Sequence, residues 1–106
     1  MAVSPTQRTL ARLRKENYDL IEVVEHYNFF SKKRHDLFGI IDILAIDHKG
    51  VVTGLQVTSY SNMSSRVRKI TESPALPFLR TADWVILVEG WRKKDNRWVS
   101  RIIDLS

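Results

Sequence analysis

The longest apolar run of the chain, Gly39 to Asp47 (GIIDILAID), is broken by a single acidic residue, Asp42. Near-continuous apolar character over so short a span predicts a strand buried on both faces. Val51 to Ser59 (VVTGLQVTS) reads as its partner strand. Asp47-His48-Lys49-Gly50 between them reads as a tight turn in which Gly50 takes positive φ, so the pair is expected as a hairpin. In strict alternation Gln56 and Thr58 share one face of the second strand, and Leu55 and Val57 the other.

Ser4-Pro5-Thr6-Gln7 signals a helix start, with Ser4 as cap, Pro5 in the first turn and Gln7 completing a capping box. That helix is expected to run to about Asn17, with Leu10, Ala11 and Leu13 inward. Tyr18 to His26 follows as a strand candidate, with Glu22 and Glu25 on opposite faces. Tyr27 to Phe38 reads as a basic loop. Downstream, Ser61-Asn62 caps a second helix whose inward stripe is Met63, Val67 and Ile70. Pro74 and Pro77 end it and start a short segment, Ala75 to Thr81. Trp84 to Trp91 and Arg97 to Asp104 are two further strands joined by the polar turn Arg92 to Asn96. The order is helix, strand, strand, strand, helix, strand, strand. A hairpin followed by a crossover helix and another strand predicts one α/β domain over residues 1–106, with a mixed central sheet flanked by helices.

Composition narrows the function classes. Apolar residues make up 43% and charged residues 27% of the 106 positions, the balance of a globular chain. No run approaches the roughly 20 apolar residues of a membrane span, and the N-terminus lacks the pattern of a secretory signal. Cysteine is absent, which removes disulfides and thiolate chemistry and fits a reducing cytoplasm. His26, His35 and His48 have no zinc-ligand spacing, and no phosphate-binding glycine loop occurs, so zinc, nucleotide-hydrolysis and hydride chemistry are not expected. Seventeen Lys and Arg against twelve Asp and Glu leave a net charge of +5, which favours encounter with phosphate backbones. Trp84, Trp91 and Trp98 read as sheet packing.

Asp42 is the most informative residue. A carboxylate between Ile41 and Ile43 must be paired, hydrogen-bonded or bound to a cation, because burying it alone is costly. Gln56 and the Val57 carbonyl on the neighbouring strand are oxygen donors suited to Mg²⁺ or Mn²⁺. The bland alternative is an Asp42 paired with an arginine or capping a turn, and a Gln56 that is a satisfied core amide. Asp36 lies in the basic loop and reads more simply as a turn or ion-pair residue than as a ligand.

With Asp on the second strand and Gln-x-polar on the third, the chain from residue 5 to about 90 resembles the PD-(D/E)XK nuclease superfamily, whose small members include Holliday-junction resolvases and VRR-NUC domains. The resemblance implies a restriction-endonuclease-like αβββαβ core. Ile41-Asp42 stands at the "PD" and Gln56-Val57-Thr58 at the "(D/E)XK". By position it implies a metal held by Asp42, Gln56 and Val57 and a catalytic set of Asp42, Gln56 and Thr58, to which Lys69 is added as a substitute cation. Thr58 departs from the motif's lysine, so the cation has to come from Lys69 or Arg66 on the following helix, or from Lys49. A further family acid would fall on Glu16, Glu22 or Glu25.

The expected function is metal-dependent hydrolysis of phosphodiester bonds in DNA, structured or branched DNA included. The alternative is a nuclease-fold module that lost activity with the lysine and only binds nucleic acid; a third reading is a structural or partner-binding domain. Asn62, Ser65, Arg66 and Lys69 at the second helix form a phosphate seat, and Lys32, Lys33 and Arg34 a second basic cluster beside Phe29 and Phe30. A homodimer is a reasonable way for so small a protein to span a duplex.

Overall fold

The first helix forms where its capping signals stand: in the computed structural model, which describes residues 3–106, α1 spans Pro5–Lys15. Ser4 Oγ accepts the Gln7 N–H at 3.2 Å, and the Gln7 side chain accepts the Ser4 N–H, the reciprocal pair of a capping box. Lys15 ends the helix and Asn17 takes φ 62°, short of the boundary expected from periodicity. The inward face also differs. Thr9 and Leu13 are buried while Ala11 is exposed, so the stripe is rotated towards a polar residue.

The remaining elements are β1 (Leu20–Val23), β2 (His26–Asn28), β3 (Lys33–His35), β4 (Ile43–Ile46), β5 (Val52–Ser59), α2 (Met63–Thr71), α3 (Leu76–Thr81), β6 (Val85–Lys94) and β7 (Arg97–Asp104). The strand expected over Tyr18–His26 is two elements: β1 in the main sheet, then β2, which pairs with β3 in a small separate hairpin where a loop was expected. The five-stranded sheet has the order β1-β4-β5-β6-β7, antiparallel except for the parallel β5–β6 pair that α2 and α3 connect. A parallel pair needs a long crossover, and the two helices supply it. The chain is thus an α/β domain with a mixed sheet. Among the described residues no helix is long and apolar enough to cross a membrane.

The sheet lies between two apolar clusters. Leu13 of α1 packs with Ile43, Ala45, Leu55 and Val57, and on the other face α2 and α3 bury Met63, Ile70, Leu76 and Leu79 against Ile86 and Val88. Alternation along β5 and β6 assigns these faces as the sequence pattern implies. Asn62 stands at the N-cap of α2 without a side-chain hydrogen bond, so the capping expected of it is not made; a 3₁₀ turn over Tyr60–Asn62 leads into the helix instead. That turn sits over Gly90, where an added Cβ would overlap the Met63 side chain and lie 3.1 Å from Tyr60 Cα. Gly90→Ala is therefore expected to destabilise the fold by about 1–3 kcal/mol, read as a lower urea midpoint with an unchanged m-value.

A buried polar network on the α1 face was not expected from the sequence. Glu89 is fully buried on β6, and Arg12 reaches it through Nε at 2.7 Å and Nη2 at 3.1 Å. Thr9 Oγ1 and Ser100 Oγ each donate to it at 2.8 Å, and Trp91 Nε1 donates to Thr9 Oγ1 at 2.9 Å. This carboxylate is both charge-paired and hydrogen-bonded, which offsets its desolvation and pins α1 to the sheet.

Candidate active site

Asp42 does not sit mid-strand as expected. β4 begins one residue later, and the Asp42 peptide still bonds both neighbours: its N–H donates to Leu55 O at 2.8 Å and its carbonyl accepts Val24 N–H at 2.8 Å. Ile41 packs with the α2 and α3 cluster while Ile43 packs with α1, although they are only two positions apart. Regular alternation would put both on one face. The bend at Asp42 resolves this by switching faces, and it leaves the carboxylate at the strand end. There Asp42 Oδ2 accepts the Val57 N–H at 2.8 Å, where the next ladder acceptor would otherwise stand.

A reverse turn brings a second carboxylate to the same place. Leu37 bridges Ile41, Gly39 N–H donates to Asp36 O at 2.9 Å, and Phe38 and Gly39 take φ 54° and 77°. Gly39 meets that conformation without strain. Asp36 and Asp42 are thereby folded onto one end of the sheet, and Glu25, just after β1, joins them: one oxygen from each of the three lies within 4.8 Å of the others. Asp36, read from sequence as a turn or ion-pair residue, is both, pairing with Lys69 at 3.2 Å, and it also lines the cleft beside Asp42 and Glu25. The signal that could have found it was Phe38-Gly39, a turn marker midway between two aspartates.

On β5, Gln56 is buried and its Nε2 donates to Asp36 Oδ2 at 3.3 Å. Its oxygen, expected to face a cation, instead accepts from Lys69 Nζ at 3.3 Å, and Lys69 also donates to Asp36 Oδ2 at 3.2 Å. Lys69 comes from α2, the expected source of the missing motif cation. These groups line a cleft of about 490 Å³ with Val57, Thr58, Arg66 and Arg34. Arg66 Nε is buried without a hydrogen-bond partner among the described residues. Ser4, Pro5 and Thr6, at the start of α1, also line the cleft, whereas the first residues of α2 do not.

Other sequence candidates lie elsewhere. Lys32 and Lys33 are exposed on the β2–β3 hairpin, and only Arg34 of that cluster reaches the cleft, 3.7 Å from Glu25. Asn62 and Ser65 lie outside it, with Ser65 Oγ donating to Asn62 O at 2.9 Å. Glu16 pairs with Arg12 and Glu22 is exposed on β1, which leaves Glu25 as the acid near the site. Lys49 is exposed in the β4–β5 turn.

The two aspartates are driven apart electrostatically. Burial pushes Asp42 up to about 7 from the ordinary value of 3.8; the Val57 N–H opposes this and the neighbouring Asp36 carboxyl adds to it. Burial also pushes Asp36 upward, but its hydrogen bond with Asp42 and the Lys69 ammonium outweigh burial and hold it below 3.8. Asp42 is therefore the member of the pair that keeps a proton near neutrality. Its folded value lies above its unfolded one, so its contribution is complete below about pH 4 and is lost as pH rises to about 7. In chelator, wild type is expected to lose about 2–4 kcal/mol relative to Asp42→Asn between about pH 5 and pH 8, read from urea melts at both values. No family model, curated protein or solved structure matches the chain.

Proposed function

We propose that the protein is a metal-dependent phosphodiesterase acting on DNA, built on a PD-(D/E)XK-like core. The observation that carries this reading is the meeting of Asp42, Asp36 and Glu25 with Lys69 in one open cleft. The element order also supports it, with Asp42 immediately before the second strand of the main sheet in chain order, β4, and Gln56-Val57-Thr58 on the third, β5. Glu89 supplies the contrast within the same sheet. It is held by an arginine and two hydroxyls, whereas Asp42 is buried with a backbone N–H as its closest donor and a second acid beside it.

The residues fit a hard divalent cation. Once all three are ionised, carboxylates with oxygens this close repel one another, and an oxygen-seeking Mg²⁺ or Mn²⁺ would relieve that repulsion. Asp42, Asp36 and Glu25 would hold it, with the Val57 backbone at the same edge. Bound there, the ion would neutralise charge developing at a phosphate and lower the pKa of water. The chain's own cations do the rest. Lys69, held between Asp36 and Gln56, brings an ammonium to the carboxylates that would stand in for the motif's lysine, and Arg66 adds a second positive charge to the lining of the same cleft. In this arrangement Gln56 orients Lys69 and Asp36 rather than facing the ion. The net charge of +5 favours capture of a polyanion.

The test is incubation with supercoiled, nicked, flapped and four-way-junction DNA in Mg²⁺ or Mn²⁺ against a chelator control. Metal-dependent cleavage is expected. Salt-sensitive binding without cleavage of any form would instead support the binding-module reading, which Thr58 in the motif's lysine position favours.

A further inference from the structure

The β2–β3 hairpin carries side chains that neither the core nor the cleft uses. Phe29 is 81% and Phe30 101% exposed, with Tyr27 half exposed beside them. Rings left in water add no burial to the stability of the fold. Their turn is nevertheless braced: Asn28 Oδ1 accepts the Phe30 N–H at 2.9 Å and the Ser31 N–H at 3.2 Å. Tyr27 and Phe29 meet edge to face with centroids 5.2 Å apart. The basic run Lys32-Lys33-Arg34 follows after Ser31. Tyr27 stands opposite Arg34 in the hairpin register, and directly opposed residues of an antiparallel pair project to one face. Arg34 in turn lines the cleft beside Glu25. A track of aromatic and basic groups thus runs from Phe29 through Tyr27 and Arg34 to the carboxylates.

We propose that this hairpin is a stacking platform for unpaired nucleotides that leads single-stranded DNA into the cleft; the delivery half of this inference rests on the phosphodiesterase reading. Exposed rings offer faces to bases, which a duplex keeps stacked internally, while neighbouring cations meet the phosphates. Rings, cations and cleft are continuous through Arg34, and a polyanion with flat apolar bases complements all three.

Fluorescence anisotropy in chelator at low salt would compare labelled oligo(dT) with a blunt duplex of equal length. The proteins are wild type, Phe29→Ser/Phe30→Ser and Phe29→Trp/Phe30→Trp. Loss of both rings is expected to weaken oligo(dT) binding about tenfold or more while duplex affinity stays within about threefold, and the tryptophan pair should retain the single-strand affinity. Because both rings are exposed, the thermal midpoint should hold, which separates the result from misfolding. Equal losses on both DNAs, or none, would overturn the platform. So would phenylalanine-dependent binding to phosphatidylserine vesicles, or phenylalanine-dependent self-association, with oligo(dT) affinity unchanged. The two readings fail separately. Ring-dependent oligo(dT) binding without metal-dependent cleavage supports the platform and removes the chemistry. Cleavage with ring-independent binding removes the platform alone.

Discussion

Asp42→Asn is expected to lower metal-dependent DNA cleavage on the order of 1,000-fold, about 4 kcal/mol of transition-state stabilisation. Asparagine keeps a side-chain oxygen for the Val57 N–H, so the strand end should stay closed, but it supplies no negative charge to a cation. It also removes a buried carboxylate whose ionisation burial opposes. The variant should therefore be inactive and, in chelator at about pH 8, at least as stable as wild type. The two measurements together are diagnostic, because a residue that merely supports the fold would lose stability along with activity. Equal cleavage by both proteins would remove Asp42 from the mechanism. Since a proton competes with a cation for Asp42, divalent-ion affinity should also rise with pH up to about 7.

Lys69→Met should cut cleavage by about 100-fold or more while preserving the aliphatic stem of the side chain. Lys69 is bound only at its tip, to Asp36 and Gln56, and is 40% exposed. Its removal leaves the mostly buried Asp36 without its cation, so a modest fall in the melting midpoint is expected, and activity is compared where both proteins are fully folded. A relocation makes the test sharper. Thr58 is buried, lines the cleft and lies two residues from Gln56 on the same face of β5. If the site requires a positive charge and not a lysine at one backbone position, Thr58→Lys should restore part of the activity that Lys69→Met removes. Failure of the folded double variant to recover any activity would mean that Lys69 acts through its bond to Gln56 and Asp36 instead of through its charge on substrate. Competition of both variants for the same DNA in chelator would show whether binding, as opposed to turnover, had changed.

Much of the frame was legible in the sequence because its signals are local. The capping box at Ser4, the Asp47–Gly50 turn, the alternation of β5 and the stripe on α2 each depend on residues a few positions apart. Asp42 was identifiable as anomalous for the same reason: its apolar neighbours are adjacent in the chain. The hairpin at His26–His35 was missed because its strands are three residues long, below the span over which periodicity speaks.

What the sequence determined by itself was the order of the five main-sheet strands with α1 and α2, and the presence of one acid that an apolar segment could not leave unsatisfied. The tertiary structure alone decided which partners that acid received. Asp36 arrives through the reverse turn at Phe38-Gly39, Glu25 through the pairing of β1 with β4, and Lys69 through the crossover that lays α2 over β5. It also decided that Glu89, buried even more completely, is satisfied by Arg12 more than seventy positions away in the chain. The physical reason is range. Hydrogen bonding and periodicity along the backbone act between near neighbours, whereas the charge environment of a buried carboxylate is set by whatever the packed fold places within a few ångströms of it.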